Sequence, residues 1–166
     1  MSTKRPSLAK AKYAFKNVYD DIGKTVSAVG KLIGGKVDYN INHLTPAQGQ
    51  FKNACAIRMS YVLNQTGIKV PHMPGKTVSG GDGSWYMYKV KDLLDFLRRN
   101  FGEPDITISS PTIEKLLIRN PKGIIVFEVD QWDDATGHTT VWDGLNCSDS
   151  CYFAESTKVY LWELKN

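Results

Sequence analysis

"NACAIRMS", residues 53–60, sets a cysteine just after an asparagine able to cap a helix, at the head of a run that continues to Gln65 and stops at Gly67. Ala54, Cys55, Ala56, Ile57, Met59, Tyr61, Val62 and Leu63 go nearly all the way round such a helix. A helix that is apolar on most sides has to be buried on most sides, so a helix from Asn53 to about Gln65 is predicted to be the central one. Cys55 then has two readings. Free cysteine is among the most buried residue types, which makes it a core thiol; a helix N-terminus also favours a thiolate, which makes it a nucleophile.

Working outward, "SLAKAKYAFKNVYDDI" places Leu8, Ala11, Phe15, Val18, Tyr19 and Ile22 on one face behind a Ser7 cap, and "VSAVGKLIGG" repeats the helical spacing up to a glycine pair. "YNINHLTPAQGQF" reads as irregular, and "VPHMPGKTVSGGDGSW" as a long loop suited to lining a groove. "YKVKDLLDFLRRNFG" is a helix ending at Gly102, and "SPTIEKLLIRN" one that opens with a Ser110 cap and Pro111. The remainder, "GIIVFEVD", "GHTTVWDG", "CYFAE" and "KVYLWEL", alternates as strands separated by turns. Helices first and an antiparallel sheet after is an α+β layout. With 166 residues, 42% of them hydrophobic, and no internal repeat or linker, residues 1–166 are expected to form a single domain.

The net charge is +4 and the isoelectric point about 8.9, which favours anionic partners and leaves nucleic acid, acidic lipid and anionic cell wall all open. "MSTKRPSLAKAKYAF" has basic residues with no apolar run behind them, and no stretch approaches membrane-span length. The expectation is a soluble protein made in the cytoplasm, without a secretory signal.

"GHTTVWDG" puts His138 at the start of a strand, where an imidazole can project from the sheet edge toward a packed helix, with Thr140 and Trp142 on the same face. An imidazolium beside a thiolate stabilises it further, and nucleophilic catalysis needs a third group to orient the base. Asp143 and Asp149 are the candidates. Asp143 precedes Gly144 in a turn signal, whereas Asp149 lies midway between Cys147 and Cys151. Bridged, those cysteines would close a tight loop worth only roughly 2 kcal/mol and so better suited to positioning than to stability; the alternative is two free thiols on a hairpin. His72 and His43 fit no triad, the latter with no obvious acid beside it. Trp85, Tyr86 and Trp132 are candidate walls of a substrate groove, and "GGDG" lacks the residues of a phosphate loop.

"NACAIRMSYVLN", "YMYKVKDLLDFLRRNFG", "GHTTVWDG" and "CSDSCYF", in this order, resemble the fourth family of type VI secretion amidase effectors, papain-like cysteine peptidases of the NlpC kind. The resemblance runs from about residue 10 to the end of the chain. It implies a papain-like fold, a central helix bearing the nucleophile packed on an antiparallel β-sheet. It puts the nucleophile on Cys55, the base on His138, the orienting acid on Asp149 and a disulfide on Cys147 and Cys151. The implied reaction is hydrolysis of the γ-D-glutamyl-meso-diaminopimelate amide of Gram-negative peptidoglycan stem peptides, with the oxyanion held by the Cys55 N–H and one further donor, Gln48 and Gln50 being candidates. No cofactor or metal, no nucleic acid and no membrane insertion are implied. The implied partners are the secretion machinery and a dimeric immunity protein that plugs the groove, with action in the periplasm of a recipient cell. Two other classes fit the same residues: a structural zinc module of Cys55, Cys147, Cys151 and His138, and a deamidase or transglutaminase-like toxin acting on proteins.

Overall fold

The computed structural model describes residues 4–130 and 137–166. The Ser7 side chain accepts from the Lys10 N–H and starts α1, Leu8–Val18, which buries Leu8, Ala11, Ala14, Phe15 and Val18. Thr25 caps α2, Val26–Ile33, in the same way through the Ala28 N–H. After the short α3, Gly35–Asp38, the stretch read as irregular is wound instead into a π turn, Tyr39–His43, and a 3-10 turn, Pro46–Gln48. A Thr45–Gln48 capping box holds the latter, a local signal that "TPAQ" carries but that too few apolar residues accompany to reveal.

Helix α4, Cys55–Gln65, is buried at Cys55–Ser60 and again at Val62–Asn64. It packs against α1, against α5, Val90–Phe101, and against a four-stranded antiparallel sheet. The strands are β3, Ile106–Ser109, β4, Gly123–Glu128, β5, Gly137–Trp142, and β6, Lys158–Glu163, in the spatial order β3-β6-β4-β5. Alternation along β4 sends Ile124 and Val126 into the helical core with Met59, Val62 and Leu93, and Ile125 and Phe127 into a second core on the opposite face. Fully burying one such side chain stabilises the fold by roughly 1.5–3 kcal/mol.

Three expectations differ from the structure. "CYFAE" is not a strand: Tyr152 and Phe153, good strand formers, pack from a turn region onto the second core, with the Phe153 ring 5.0 Å from that of Phe127. β3 is a four-residue edge strand, too short to announce itself by periodicity. Helix α6, Ile113–Leu117, begins after Thr112, and Ser110 has φ 52°, so neither Ser110 nor Pro111 opens it.

The long loop is also more ordered than its composition suggests. It forms a hairpin of β1, Thr77–Ser79, and β2, Trp85–Met87, whose "GGDG" tip lies against the end of α2, where Gly81 N–H donates to Ile33 O at 2.9 Å. Gly35, at φ 59°, has the Gly80 carbonyl carbon 2.6 Å from where its Cβ would be, so the backbones approach only because residue 35 is glycine. No helix among the described residues is long and apolar enough to cross a membrane.

Candidate active site

The site forms where the start of α4 meets β5, the edge strand of the sheet. Asn53 Oδ1 accepts from the Cys55 N–H at 3.0 Å and thereby fixes the first turn. The Cys55 side chain, 2% exposed, lies with Sγ 4.0 Å from the Gly137 carbonyl oxygen. Gly137 is required by its surroundings, since a Cβ there would be 2.2 Å from Phe127 O across the β4–β5 pair. The next residue, His138, pairs with Phe127 and is enclosed by that ring and by Tyr152, whose ring centroid is 4.8 Å away.

Asp149 arrives from the loop between β5 and β6. Cys147 and Cys151 form a disulfide, with Cα atoms 5.5 Å apart, and bracket it. His138 Nε2 lies 3.0 Å from Asp149 Oδ1 and 3.0 Å from Oδ2, with the aspartate side chain 5% exposed; Oδ1 also accepts from Ser150 N–H at 2.5 Å. Burial opposes charge on the imidazole. The hydrogen bond to Asp149, then the one with Cys55, and then the charges of both partners outweigh it, and the pKa of His138 is raised from 6.5 to about 9. At neutral pH the ring is therefore an imidazolium, with Nε2 held by the carboxylate and Nδ1 left for the sulfur. Such a chain of acid, imidazole and thiol at a helix start can deliver a thiolate to a carbonyl and a proton to its leaving group.

Beside these groups opens a cavity of about 380 Å³, whose lining includes His138, Asp149, Asn53, Arg58, Lys24 and Lys52. The other residues singled out from sequence lie elsewhere. Gln48 accepts from the Thr45 N–H, and Gln50 Nε2 donates to Ile41 O at 2.8 Å; neither lines the cavity, so the second oxyanion donor is not brought there by either. Tyr86 is fully buried in the core under α2, with its hydroxyl donating to Asp82, because β2 turns that position inward; Trp85 stacks on His72, with ring centroids 4.1 Å apart. Neither aromatic walls the cavity, and Trp132 falls outside the described residues. His43 does have an acid nearby, with Nε2 3.4 Å from Asp38 Oδ2 at the surface. Asp143 serves its turn, accepting from the N–H groups of Leu145 and Asn146. The zinc alternative loses two ligands because Cys147 and Cys151 are bonded to each other.

Sequence reasoning missed the cavity's cations. Arg58 carried a signal, the one charged residue within an otherwise apolar or small-polar helix; Lys24 and Lys52 carried none, since only the tertiary fold gathers them.

Residues 51–162 match the family of type VI secretion system amidase effector protein 4, Tae4. The chain belongs to this family. No curated protein matches the sequence. The Tae4 effector of Enterobacter cloacae is 44% identical, over 99% of this chain and 100% of that one, with a TM-score of 0.85. The complex of Tae4 with Tai4 from the same organism gives 43% identity, 98% and 100% coverage and a TM-score of 0.84. The effector–immunity complex Tae4–Tai4 from Salmonella Typhimurium gives 39%, 97% and 99%, and 0.83. The α+β fold is thus the papain-like fold of the Tae4 effectors, and the family is one of amidases.

Proposed function

We propose that this Tae4 family member is a cysteine amidase that hydrolyses the γ-D-glutamyl-meso-diaminopimelate bond of Gram-negative peptidoglycan stem peptides. The observation that supports it most is the His138 imidazole held between Asp149 and Cys55 beside an open cavity. Cys55 Sγ attacks the amide carbonyl, His138 protonates the departing amine, and the acyl-enzyme is then hydrolysed by a water that gives its proton back to His138. Asp149 keeps the ring oriented and charged. The Cys55 N–H, which donates to Asn53 Oδ1, would exchange that partner for the oxyanion.

A net charge of +4 suits an anionic sacculus as the target. The family supports delivery by a type VI secretion machine from the producer's cytoplasm into a recipient's periplasm. Relatives were solved as complexes with the immunity protein Tai4, which supports a cognate immunity protein; the reading proposed here makes it a dimer that plugs this groove. The test is digestion of purified muropeptides followed by mass spectrometry. Expected are fragments cut between D-glutamate and diaminopimelate with the wild type and none with Cys55→Ala. Intact muropeptides beside deamidated protein substrates would overturn the reading in favour of a protein-directed toxin.

A further inference from the structure

The cavity next to His138 contains a charge without a matching countercharge. Arg58 is 7% exposed, yet among the described residues its hydrogen bonding amounts to one long contact, Nη2 to Lys24 O at 3.4 Å. Its Nε is buried with no hydrogen-bond partner. No carboxylate of the described residues lies within ion-pair distance of it, and the guanidinium instead sits 5.0 Å from the centre of the Tyr19 ring. Burial lowers its pKa, against the charges of Asp149, Cys55 and Tyr19, which is the mark of a cation held where water does not fully solvate it. A buried guanidinium left this incomplete is costly unless something completes it.

The cavity's own acid does not do so. Asp149 directs both oxygens to the His138 ring and Ser150 N–H. Among the described residues Lys24 and Lys52 line the same cavity as the His138 imidazolium, Lys24 with Asp20 Oδ1 3.7 Å from its Nζ, while the lining's carboxylate is committed. The cavity's chemistry therefore asks for an anion from outside. Arg58 stands three residues after Cys55 on α4, and such positions share a helix face with Cβ atoms about 5–6 Å apart. Arg58 and His138 line one cavity, so an anion held by Arg58 shares that cavity with the group under attack.

We propose that Arg58, with Lys24 and Lys52 at its side, binds the free α-carboxylate of the γ-linked D-glutamate on the acyl side of the scissile bond. This rests on the proposed substrate class. In a γ-glutamyl amide the α-carboxylate carbon is four carbon–carbon bonds from the attacked carbonyl carbon, about 5 Å when extended at about 1.5 Å per bond. An α-amidated stem (D-isoglutamine) has a neutral group in place of that carboxylate. Arg58 is in this sense a specificity-determining residue. It reads the anion that distinguishes an unamidated stem from an amidated one, and a planar guanidinium is suited to do so.

The experiment compares two synthetic peptides that differ only in that group: L-Ala-γ-D-Glu-meso-diaminopimelate with the free α-carboxylate, and its α-carboxamide. The readout is the ratio of kcat/KM values. Wild type is expected to favour the acid by about 10- to 100-fold, the range of a charge-assisted hydrogen bond to a group left unpaired in the analogue. Arg58→Gln should bring the ratio to about one, and Arg58→Lys should retain part of it. A partly unfolded variant lowers both rates together and leaves the ratio intact, so the ratio separates recognition from stability. Cleavage of both peptides by wild type at equal rates overturns the proposal and leaves the proposed reaction standing. A ratio that survives in Arg58→Gln also overturns it, and makes Arg58 a structural residue. If wild type cuts neither peptide, the proposed bond is wrong and the subsite falls with it.

Discussion

Replacing Asp149 by Asn tests how the charge on His138 is maintained. Nε2 lies 3.0 Å from both carboxylate oxygens, and the hydrogen bond and charge of Asp149 are among the forces that raise the ring to about 9 against its burial. With a pKa of about 9, imidazolium outnumbers neutral ring by roughly 100 to 1 at pH 7. With the carboxylate gone, burial works against charge with only Cys55 opposing it, and the pKa should fall to 6.5 or lower. The charged fraction at pH 7 then drops to about a quarter or less, a loss of about fourfold from population alone. Orientation adds to this. An introduced amide N–H pointing at Nε2 forces the ring proton onto Nδ1, the nitrogen left for the sulfur, which is the wrong tautomer for taking a thiol proton. The combined expectation is a fall in kcat/KM of about 100-fold or more at pH 7, and an alkaline limb of the pH–rate profile that moves from about 9 to about 6.5 or below. Initial rates of muropeptide cleavage across pH, with an NMR titration of the imidazole, check both. An alkaline limb that stays near 9, with activity close to wild type, would refute the assignment of Asp149 as the group that keeps His138 charged.

Cys55→Ala and His138→Ala are expected to abolish muropeptide cleavage with an unchanged circular dichroism spectrum, while His43→Ala and His72→Ala, both at the surface, keep activity within about twofold, in line with the small effects usual for exposed positions. The double change Cys147→Ser with Cys151→Ser should lower turnover far more than stability, which falls by roughly 2 kcal/mol at most for so short a loop; wild-type turnover would remove the disulfide from the mechanism. Gly137→Ala sets a methyl group 2.2 Å from Phe127 O, so a loss of about 1–3 kcal/mol and of activity is expected, measured by urea unfolding and muropeptide assay. Because the folded pKa of His138 is raised, its stabilising contribution is complete below about 6.5 and is lost as pH rises through about 9, on the order of 3 kcal/mol; unfolding midpoints that do not decline over that interval in wild type, relative to His138→Gln, would contradict the charged buried pair.

The three groups at the heart of the site were legible because each has a local cause. Asn53 announces a helix start at Cys55, a glycine announces His138 at the mouth of a strand, and two cysteines announce the fixed position of Asp149. The groove was not legible, because its walls come from separate parts of the chain: Tyr19 and Lys24 from the turn between α1 and α2, Asn53 and Arg58 from α4, Ser150 and Tyr152 from the disulfide loop. The aromatic pair Trp85 and Tyr86 misled for a related reason. Each strand of their hairpin has three residues, too few to reveal by alternation which side faces the core, and Tyr86 turned out to be a core residue whose hydroxyl reaches back to the "GGDG" tip. The sheet's three longer strands were readable from their apolar runs, while β3, at the edge and four residues long, was not.

The proposed nucleophile stands on the helical half of the molecule and its proposed base on the sheet half, with Cys55 and the Gly137 carbonyl beside it 82 positions apart in the sequence. Neither half owns a working centre. Helices could form without the sheet, and hairpins without the helices, and in either case a thiol would lie far from any imidazole. Chemical competence is therefore all-or-none with respect to the docking of α4 on β5. A chain still unfolded, or one forced through a passage too narrow for the native form, is inert toward whatever it meets on the way, and becomes dangerous only on completing its last long-range contacts.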